Sequence, residues 1–356
     1  MTKVIVGMSG GVDSAVAALL LKKSGYDVIG VTLRTWLADD GTEGRCCEID
    51  EAHEAARSIG IPFHAVNCLS DFSEYVIRPF VDDYINGLTP NPCIGCNKNI
   101  KWERLLRLAK SLDVDFVATG HYAFVDRLEN GRFTVRQARS LQKDQTYMLW
   151  QLTQDQLAHT LMPLGSYTKD EVRSIAEEAG IPVAGKPDSQ EICFIPDGNY
   201  SEFIRSNAPD RIPPEGNFVD ESGKVLGRHR GIIHYTVGQR RGLGFAAGYP
   251  VYVKQIRPLT NEVVIGEEDS LYTKELYCDT LNFLSIPDLP EGETLQARVK
   301  IRYHHEGAAA AMERIDGSGL RITFETPVRA VTPGQSAVFY DEENRLIGGG
   351  IIRNTL

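Results

Sequence analysis

Two hydrophobic rhythms alternate through the first third of the chain. Val4, Ile5 and Val6 form a β-branched run that stops at Gly7, which predicts a short buried strand. Over residues 14–23 the apolar positions Val16, Ala17, Leu20 and Leu21 recur at helical spacing until Gly25 ends the pattern. A second strand is predicted over 28–33, a helix over 50–58 and a strand over 63–66. The alternation returns with a helix over 102–111, lined on one side by Leu105, Leu106, Leu108 and Ala109, and a strand over 116–120. Strands alternating with helices predict a parallel sheet covered on both faces.

The rhythm then changes. Alternating residues over 123–137 flank Asn130-Gly131, a hairpin signal. Thr168, with Glu171 three residues on, predicts a capped helix over 168–179. Beyond about residue 205 the helical spacing fades; Pro209, Pro213, Pro214 and Gly216 mark a boundary, and 223–248 is rich in glycine and short strands. Period-two alternation over 295–303, 320–325, 337–340 and 346–352 predicts a small barrel or sandwich. The expected organisation is an α/β parallel-sheet domain over 1–205, a small central domain over 206–272 and a C-terminal β-barrel over 273–356.

Composition narrows the class. With 42% hydrophobic and 24% charged residues in 356, a disordered or fibrous chain is excluded. No apolar run approaches the ~20 residues that span a bilayer, and the N-terminus lacks an export pattern. A cytoplasmic protein with no membrane partner is expected. Seven cysteines, an odd number, argue against a secreted disulfide scaffold and leave redox or metal chemistry open beside simple burial. Cys46, Cys47, Cys68 and Cys278 have no supporting context and read as packing or surface residues.

A net charge of −10 argues, as a sum, against a nucleic-acid partner. The distribution reverses that. Residues 223–261 carry Lys224, Arg228, Arg230, Arg240, Arg241, Lys254 and Arg257 with no Asp or Glu, and Arg127, Arg132, Arg136, Arg139 and Lys143 surround the predicted hairpin. With Tyr235, Tyr249 and Tyr252 interleaved, these stretches suit RNA backbone contact and base stacking, an ordinary solvated face being the alternative.

Candidate chemistry begins at Ser9-Gly10-Gly11-Val12-Asp13-Ser14, between a strand and a helix start. Two glycines admit phosphate oxygens close to the backbone, and the helix start favours an anion. Asp13, unsuited to phosphate itself, is assigned to Mg²⁺. A Walker lysine and dinucleotide glycine spacing are both missing. Further on, Asn91-Pro92-Cys93-Ile94-Gly95-Cys96 opens a predicted helix beside Lys98 and Lys101, a setting that favours a nucleophilic thiolate. A single Cys-x-x-Cys also suits zinc, but no second pair completes four ligands, so zinc would need a histidine. His121 reads equally as an acid–base group or a hydrogen-bonded core histidine.

The loop SGGVDS, Asn91-Pro92 ahead of Cys96-Asn97 and Ile100-Lys101, Thr119-Gly120-His121-Tyr122-Ala123, Lys143-Asp144-Gln145-Thr146-Tyr147, and Asp188-Ser189 ahead of Cys193-Phe194 occur in one order. Tyr235-Thr236 ahead of Gly238-Gln239-Arg240, then Arg302-Tyr303, then Pro333-Gly334-Gln335-Ser336 complete the set. Together they resemble the bacterial tRNA-specific 2-thiouridylases, members of the PP-loop (adenine nucleotide alpha hydrolase-like) enzymes. The resemblance implies ATP-dependent 2-thiolation of the wobble uridine of tRNA: adenylation of uridine O2, then sulfur transfer from a cysteine persulfide. It implies that Gly7, Met8, Ser9, Gly10, Gly11, Val12, Asp13 and Ser14 hold ATP, with Leu33 and Gly120 near the adenosine. Cys96 would be the nucleophile and Cys193 the persulfide carrier, and the two can form a disulfide. Asn91, Pro92 and Cys93 would face the target base; His121, Lys143, Asp144, Gln145, Arg302, Tyr303 and Gln335 would touch the tRNA. A sulfur-donor protein, a persulfide relay or a cysteine desulfurase, is implied as partner. Two positions depart from many relatives: Leu33, where Met is common, and Cys93, where Asp is common. Cys93, Cys96 and Cys193 offer an alternative, a [4Fe-4S] cluster with one open iron. Another PP-loop adenylating enzyme, or an RNA- or metal-binding protein with a relic loop, are the remaining readings.

Overall fold

Five parallel strands carry the candidate site. The computed structural model describes residues 1–37, 48–186, 192–244, 248–315 and 317–355. Cys46, Cys47 and the Asp188-Ser189 pair lie outside the described residues. The chain begins β1 (Lys3–Gly7), α1 (Val12–Lys23), β2 (Asp27–Arg34), α2 (Ile49–Ile59), β3 (Phe63–Asn67). After a helical stretch come α3 (Pro92–Cys96), α4 (Glu103–Ser111), β4 (Phe116–Thr119), the hairpin Ala123–Arg127 with Phe133–Gln137, β5 (Thr160–Leu161) and α5 (Lys169–Glu178). The strands lie in the order β3-β2-β1-β4-β5, each pair parallel.

That order has a reversal in it. The chain winds outward from β1 to β3, then crosses back to set β4 on the other flank of β1. Crossovers leave opposite faces there, so a crevice opens beyond the carboxyl ends of β1 and β4. α1 is enclosed on most sides, with Val12, Ala15, Val16, Ala17 and Ala18 all buried, because small side chains let it approach the sheet and its neighbours closely. The capping box at Thr168 and Glu171 forms as the sequence predicts and starts α5.

One helical stretch is missing from the sequence expectations. Leu69–Phe72, Ser73–Ile77 and Arg78–Ile85 form successive turns that bury Phe72, Val76, Phe80 and Tyr84, one on every fourth position. Contacts divide the chain into two units. The first comprises Met1–Ile77, Pro92–Gly198 and Glu343–Ile347; the second comprises Arg78–Asn91, Asn199–Glu342 and Gly348–Leu356.

The second unit contains two sheets. A four-stranded one runs in the order Tyr252–Arg257, Glu262–Gly266, Gly216–Val219, Val225–His229, over a core of Phe218, Tyr235, Val253, Val263 and Ile265. The other closes into a six-stranded barrel: Tyr272–Phe283, Gly319–Arg329, Ala308–Ile315, Thr294–Lys300, Ser336–Tyr340 and Leu346–Thr355. Leu276, Met312, Ile322, Phe324 and Val338 are fully buried there. Of barrel and sandwich, both allowed by period-two alternation, closure into a barrel removes the sheet edges.

Candidate active site

The switch point between β1 and β4 holds a cavity of about 200 Å³. Gly7, Met8 and Ser9 leave β1 into its wall; Thr119, Gly120 and His121 leave β4 into the facing wall. Gly10 adopts the left-handed φ of +78°, and a Cβ on it would meet the Glu48 carbonyl oxygen at 2.8 Å. Gly11 caps α1 in an extended conformation with no side-chain acceptor, so the helix presents its first amides and its positive end to an anion. The loop is stitched internally: Ser9 N donates to Ser14 Oγ at 3.1 Å, and Ser14 Oγ donates to Gly11 O at 3.0 Å.

Asp13 does not reach into this space as a lone carboxylate. Lys169 Nζ donates to both of its oxygens at 2.8 Å, and the Tyr122 hydroxyl donates to Oδ1 at 2.7 Å. The carboxylate expected to take Mg²⁺ is thus engaged by an ammonium and a phenol. No other carboxylate lines the cavity among the described residues. The residues fit a magnesium ion that arrives on nucleotide phosphates, with hydroxyl and water ligands, rather than one caged by protein.

The sulfur wall is built by a distorted helix. α3 passes directly into a π-helical turn over Asn97–Trp102 and then into α4. Three bonds pin this run to the segment behind it. Asn97 Nδ2 donates to Met148 O at 3.0 Å, Gln156 Nε2 to Lys98 O at 3.3 Å, and Trp102 Nε1 to Thr160 Oγ1 at 2.7 Å. The widened turn brings Cys96, Lys101 and Leu105 onto one face, and all three line the cavity. Cys96 thus sits at the last position of α3 rather than at the opening of a helix. Cys193 joins the lining from the far end of the unit; its neighbour Phe194 is buried edge-on against Phe72 at 5.6 Å.

His121 also lines the cavity. Its Nδ1 pairs with Thr119 Oγ1 at 2.8 Å, and its ring lies 5.4 Å from that of Trp102. Burial first, and the Lys101 charge second, hold it well below the ordinary histidine range, so it is neutral at pH 7.

Of the sequence-derived candidates, Gly7, Met8, Ser9, Asp13, Ser14, Leu33, Gly120, Cys96, Cys193, His121 and Gln145 meet at this one cavity. Cys93 is exposed and stands outside the lining. Among the described residues no group of three or more His, Cys, Asp and Glu is arranged to hold a metal ion. Asp144 is buried, accepting from Ala138 N, Gln137 Nε2 and Thr146 Oγ1; it shapes the turn between Lys143 and Gln145 instead of facing outward to RNA. Asn91, Arg302, Tyr303 and Gln335 belong to the second unit, where Arg302 donates to Arg329 O and Gln335 Nε2 to Thr89 O at 2.7 Å.

The basic stretches are thinner in space than in sequence. Lys254, Arg257 and Arg228 pair with Glu221, Glu262 and Glu215, acids just outside the window, and Arg136 and Arg139 pair with Asp126 and Glu171. Tyr235 and Tyr252 are core residues, which leaves Tyr249 alone exposed for stacking. Arg240 and Arg241 remain exposed. Sequence reading missed Lys169 as a site residue, since a lysine after a helix cap looks like any surface lysine. Tyr122 stood inside a quoted motif without a role, and Lys101 only as a charge beside the cysteines.

Three family models match the chain in succession. The family model described as tRNA methyl transferase HUP domain matches residues 2–197, the tRNA methyl transferase PRC-barrel domain matches 201–267, and the aminomethyltransferase beta-barrel domain matches 273–352. A tRNA-specific 2-thiouridylase MnmA of Lachnoclostridium phytofermentans is 51% identical over 359 residues, covering 99% of each chain. One from Clostridium perfringens is 49% identical, again over 99% of each. Among solved structures, the U34-tRNA thiolase NcsA of Methanococcus maripaludis aligns over 59% of this chain and 67% of that one, at 21% identity and a TM-score of 0.36, too loosely to carry an argument. Near 50% identity from end to end, with three family models matched in order, is decisive: this chain belongs to the tRNA-specific 2-thiouridylase family.

Proposed function

We infer that this chain is an ATP-dependent tRNA-uridine 2-sulfurtransferase that acts on the wobble uridine. The observation that carries the chemistry is one cavity lined by both the phosphate loop and the two cysteines, Cys96 and Cys193. A phosphate-binding wall facing a sulfur wall is what adenylation followed by thiolation needs.

The steps balance as follows. Uridine O2 attacks the α-phosphorus of ATP, pyrophosphate leaves, and the uridine N3 proton departs to water, with neutral His121 lining the same cavity. Amides at the start of α1 stabilise the charge on the phosphates, and magnesium carried by the nucleotide supplies further charge neutralisation there. The terminal sulfur of a Cys193 persulfide then attacks C2, and AMP leaves with the original oxygen. Cys96 attacks the Cys193 sulfur of the resulting mixed disulfide, which releases 2-thiouridine and closes a Cys96–Cys193 disulfide. A dithiol reductant restores both thiols, and a persulfide donor protein reloads Cys193. Leu33 and Gly120 line the adenosine end in this reading, and Asn91, Pro92, Lys143, Arg302, Tyr303 and Gln335 serve tRNA. Residues 1–205 then hold the catalytic domain, 206–272 and 273–356 the tRNA-facing parts, in a cytoplasmic enzyme. No helix of the described residues is long and apolar enough to cross a membrane.

The test uses iron-free full-length protein, unmodified tRNA, ATP and a persulfide donor. Thiolation is expected in the wild type and in Cys93→Ser, and a drop of at least a thousandfold in Cys96→Ser and Cys193→Ser. Activity that requires added iron, or survives loss of either lining cysteine, overturns the persulfide route.

A further inference from the structure

Lys169 is a lysine in a costly place. It is only 8% exposed, although burying an ammonium is unfavourable unless it is matched. It occupies the first position of α5, the positive end of that helix, where acidic residues are favoured. Neither the cap at Thr168 nor the packing of α5 calls for a cation there. Its Nζ is instead spent on Asp13, 156 positions away in sequence, with 2.8 Å to each carboxylate oxygen.

Asp13 stands in the first turn of α1, and its side chain borders the cavity. Left alone, its charge would repel triphosphate from the very amides that attract it. The Tyr122 hydroxyl, 2.7 Å from Oδ1, ties the same carboxylate to the segment leaving β4. Tyr122 N in turn donates to Gln145 Oε1 at 3.0 Å, and Gln145 lines the opposite wall. The two walls touch: a Cβ on Gly120 would meet Ser14 N at 2.7 Å and Asp13 C at 2.8 Å. Asp13 is the junction of the phosphate loop with the wall that bears His121 and Gln145, and Lys169 is the enclosed cation that matches this half-buried carboxylate.

We propose that Lys169 is a positioning residue for the nucleotide step, a built-in cation that neutralises Asp13 and fixes the phosphate loop against the Tyr122 segment. It acts through Asp13 and does not line the cavity itself. The proposal rests on the reading that this cavity takes ATP, and it makes a charge-specific prediction. Removing the cation should harm nucleotide binding more than removing cation and anion together.

The experiment measures binding of α,β-methylene-ATP with magnesium to the full-length protein by calorimetry, alongside KM for ATP and kcat in tRNA thiolation. Lys169→Met should weaken analogue binding at least tenfold and raise KM by a similar factor, with a smaller change in kcat. Lys169→Arg should recover part of the loss. The double variant Asp13→Asn with Lys169→Met should bind the analogue several-fold more tightly than Lys169→Met alone. A structural role would show no such rescue. Unweakened binding in Lys169→Met, or a double variant no better than the single one, overturns the proposal while leaving the sulfurtransferase reading intact. Failure of the wild type to bind the analogue overturns both.

Discussion

The phosphate loop of the first unit and the interior of the second treat ionisable groups differently. In the first, Asp13 and Lys169 form an ion pair at the start of a helix. In the second, enclosed groups drift toward neutrality. Burial pushes Asp83 up to about 6, against the pull of Arg353, and holds His234 and His305 down to about 4, aided by neighbouring arginines. Shifting a pKa is the ordinary response to a low-dielectric surrounding. Retaining a buried ion pair is rarely the cheaper solution, and well-packed apolar groups often do as well. At the phosphate loop the lysine is the enclosed partner, while the Asp13 side chain is about a third exposed toward the cavity.

The largest effect that would sharpen this contrast is steric. Gly120→Ala drives a Cβ into backbone of Ser14 and Asp13, atoms that cannot swing aside. Nucleotide binding should fall by more than tenfold, with a stability loss of about 1–3 kcal/mol of the kind overpacking produces; calorimetry and thermal melting check both. Unchanged ATP affinity in Gly120→Ala would mean that the junction at Asp13 is not part of the binding machinery.

Acidification tests the second unit's half of the comparison. The lowered histidines, His121 included, bind fewer protons folded than unfolded, so their contribution to stability is full above 6.5 and is lost as pH falls below it. Asp83 runs the other way: its folded pKa is raised, so its contribution is full below 3.8 and disappears as pH rises through about 6. Melting temperature should therefore fall between pH 6.5 and 5, and fall more steeply in Asp83→Asn, by on the order of a few degrees. A variant with the same slope as the wild type would show that Asp83 titrates normally in the fold.

Smaller effects belong to the surface. Arg240 and Arg241 are exposed members of a basic stretch, as are Lys224 and Arg230, in which Arg228, Lys254 and Arg257 pair with acids. Each Arg→Ala change should weaken tRNA binding a few-fold and reduce the salt dependence by about one phosphate contact, without altering sequence preference. A filter-binding titration across salt concentrations reads this directly, and an unchanged slope would remove the loop from the RNA surface.

Periodicity carried most of the architecture. The β-branched run before Gly7, the Asn130-Gly131 hairpin and the Thr168–Glu171 capping box are local devices, set by side chains within a few residues of one another, and they form where the pattern predicts. The same holds for the phosphate loop, whose glycines and helix start are contiguous in sequence. The helical turns from Leu69 to Ile85 were legible in principle, since Phe72, Val76, Phe80 and Tyr84 recur every four residues, but short polar-rich turns dilute the signal.

What the chain determined by itself is thus the order of its elements, the bare backbone at Gly10 and Gly11, and the motifs that place it in its family. Only the tertiary structure decided which residues share a cavity and which charges meet. The π turn that lines up Cys96 with Lys101 depends on Met148, Gln156 and Thr160 holding it from outside. The barrel needs six strands to close on themselves, which no single strand's alternation encodes. Lys169 finds Asp13 because a parallel sheet returns distant segments to the same strand ends. A contact of that kind is fixed by the topology of the whole sheet, and so it leaves no mark on the residues around either partner.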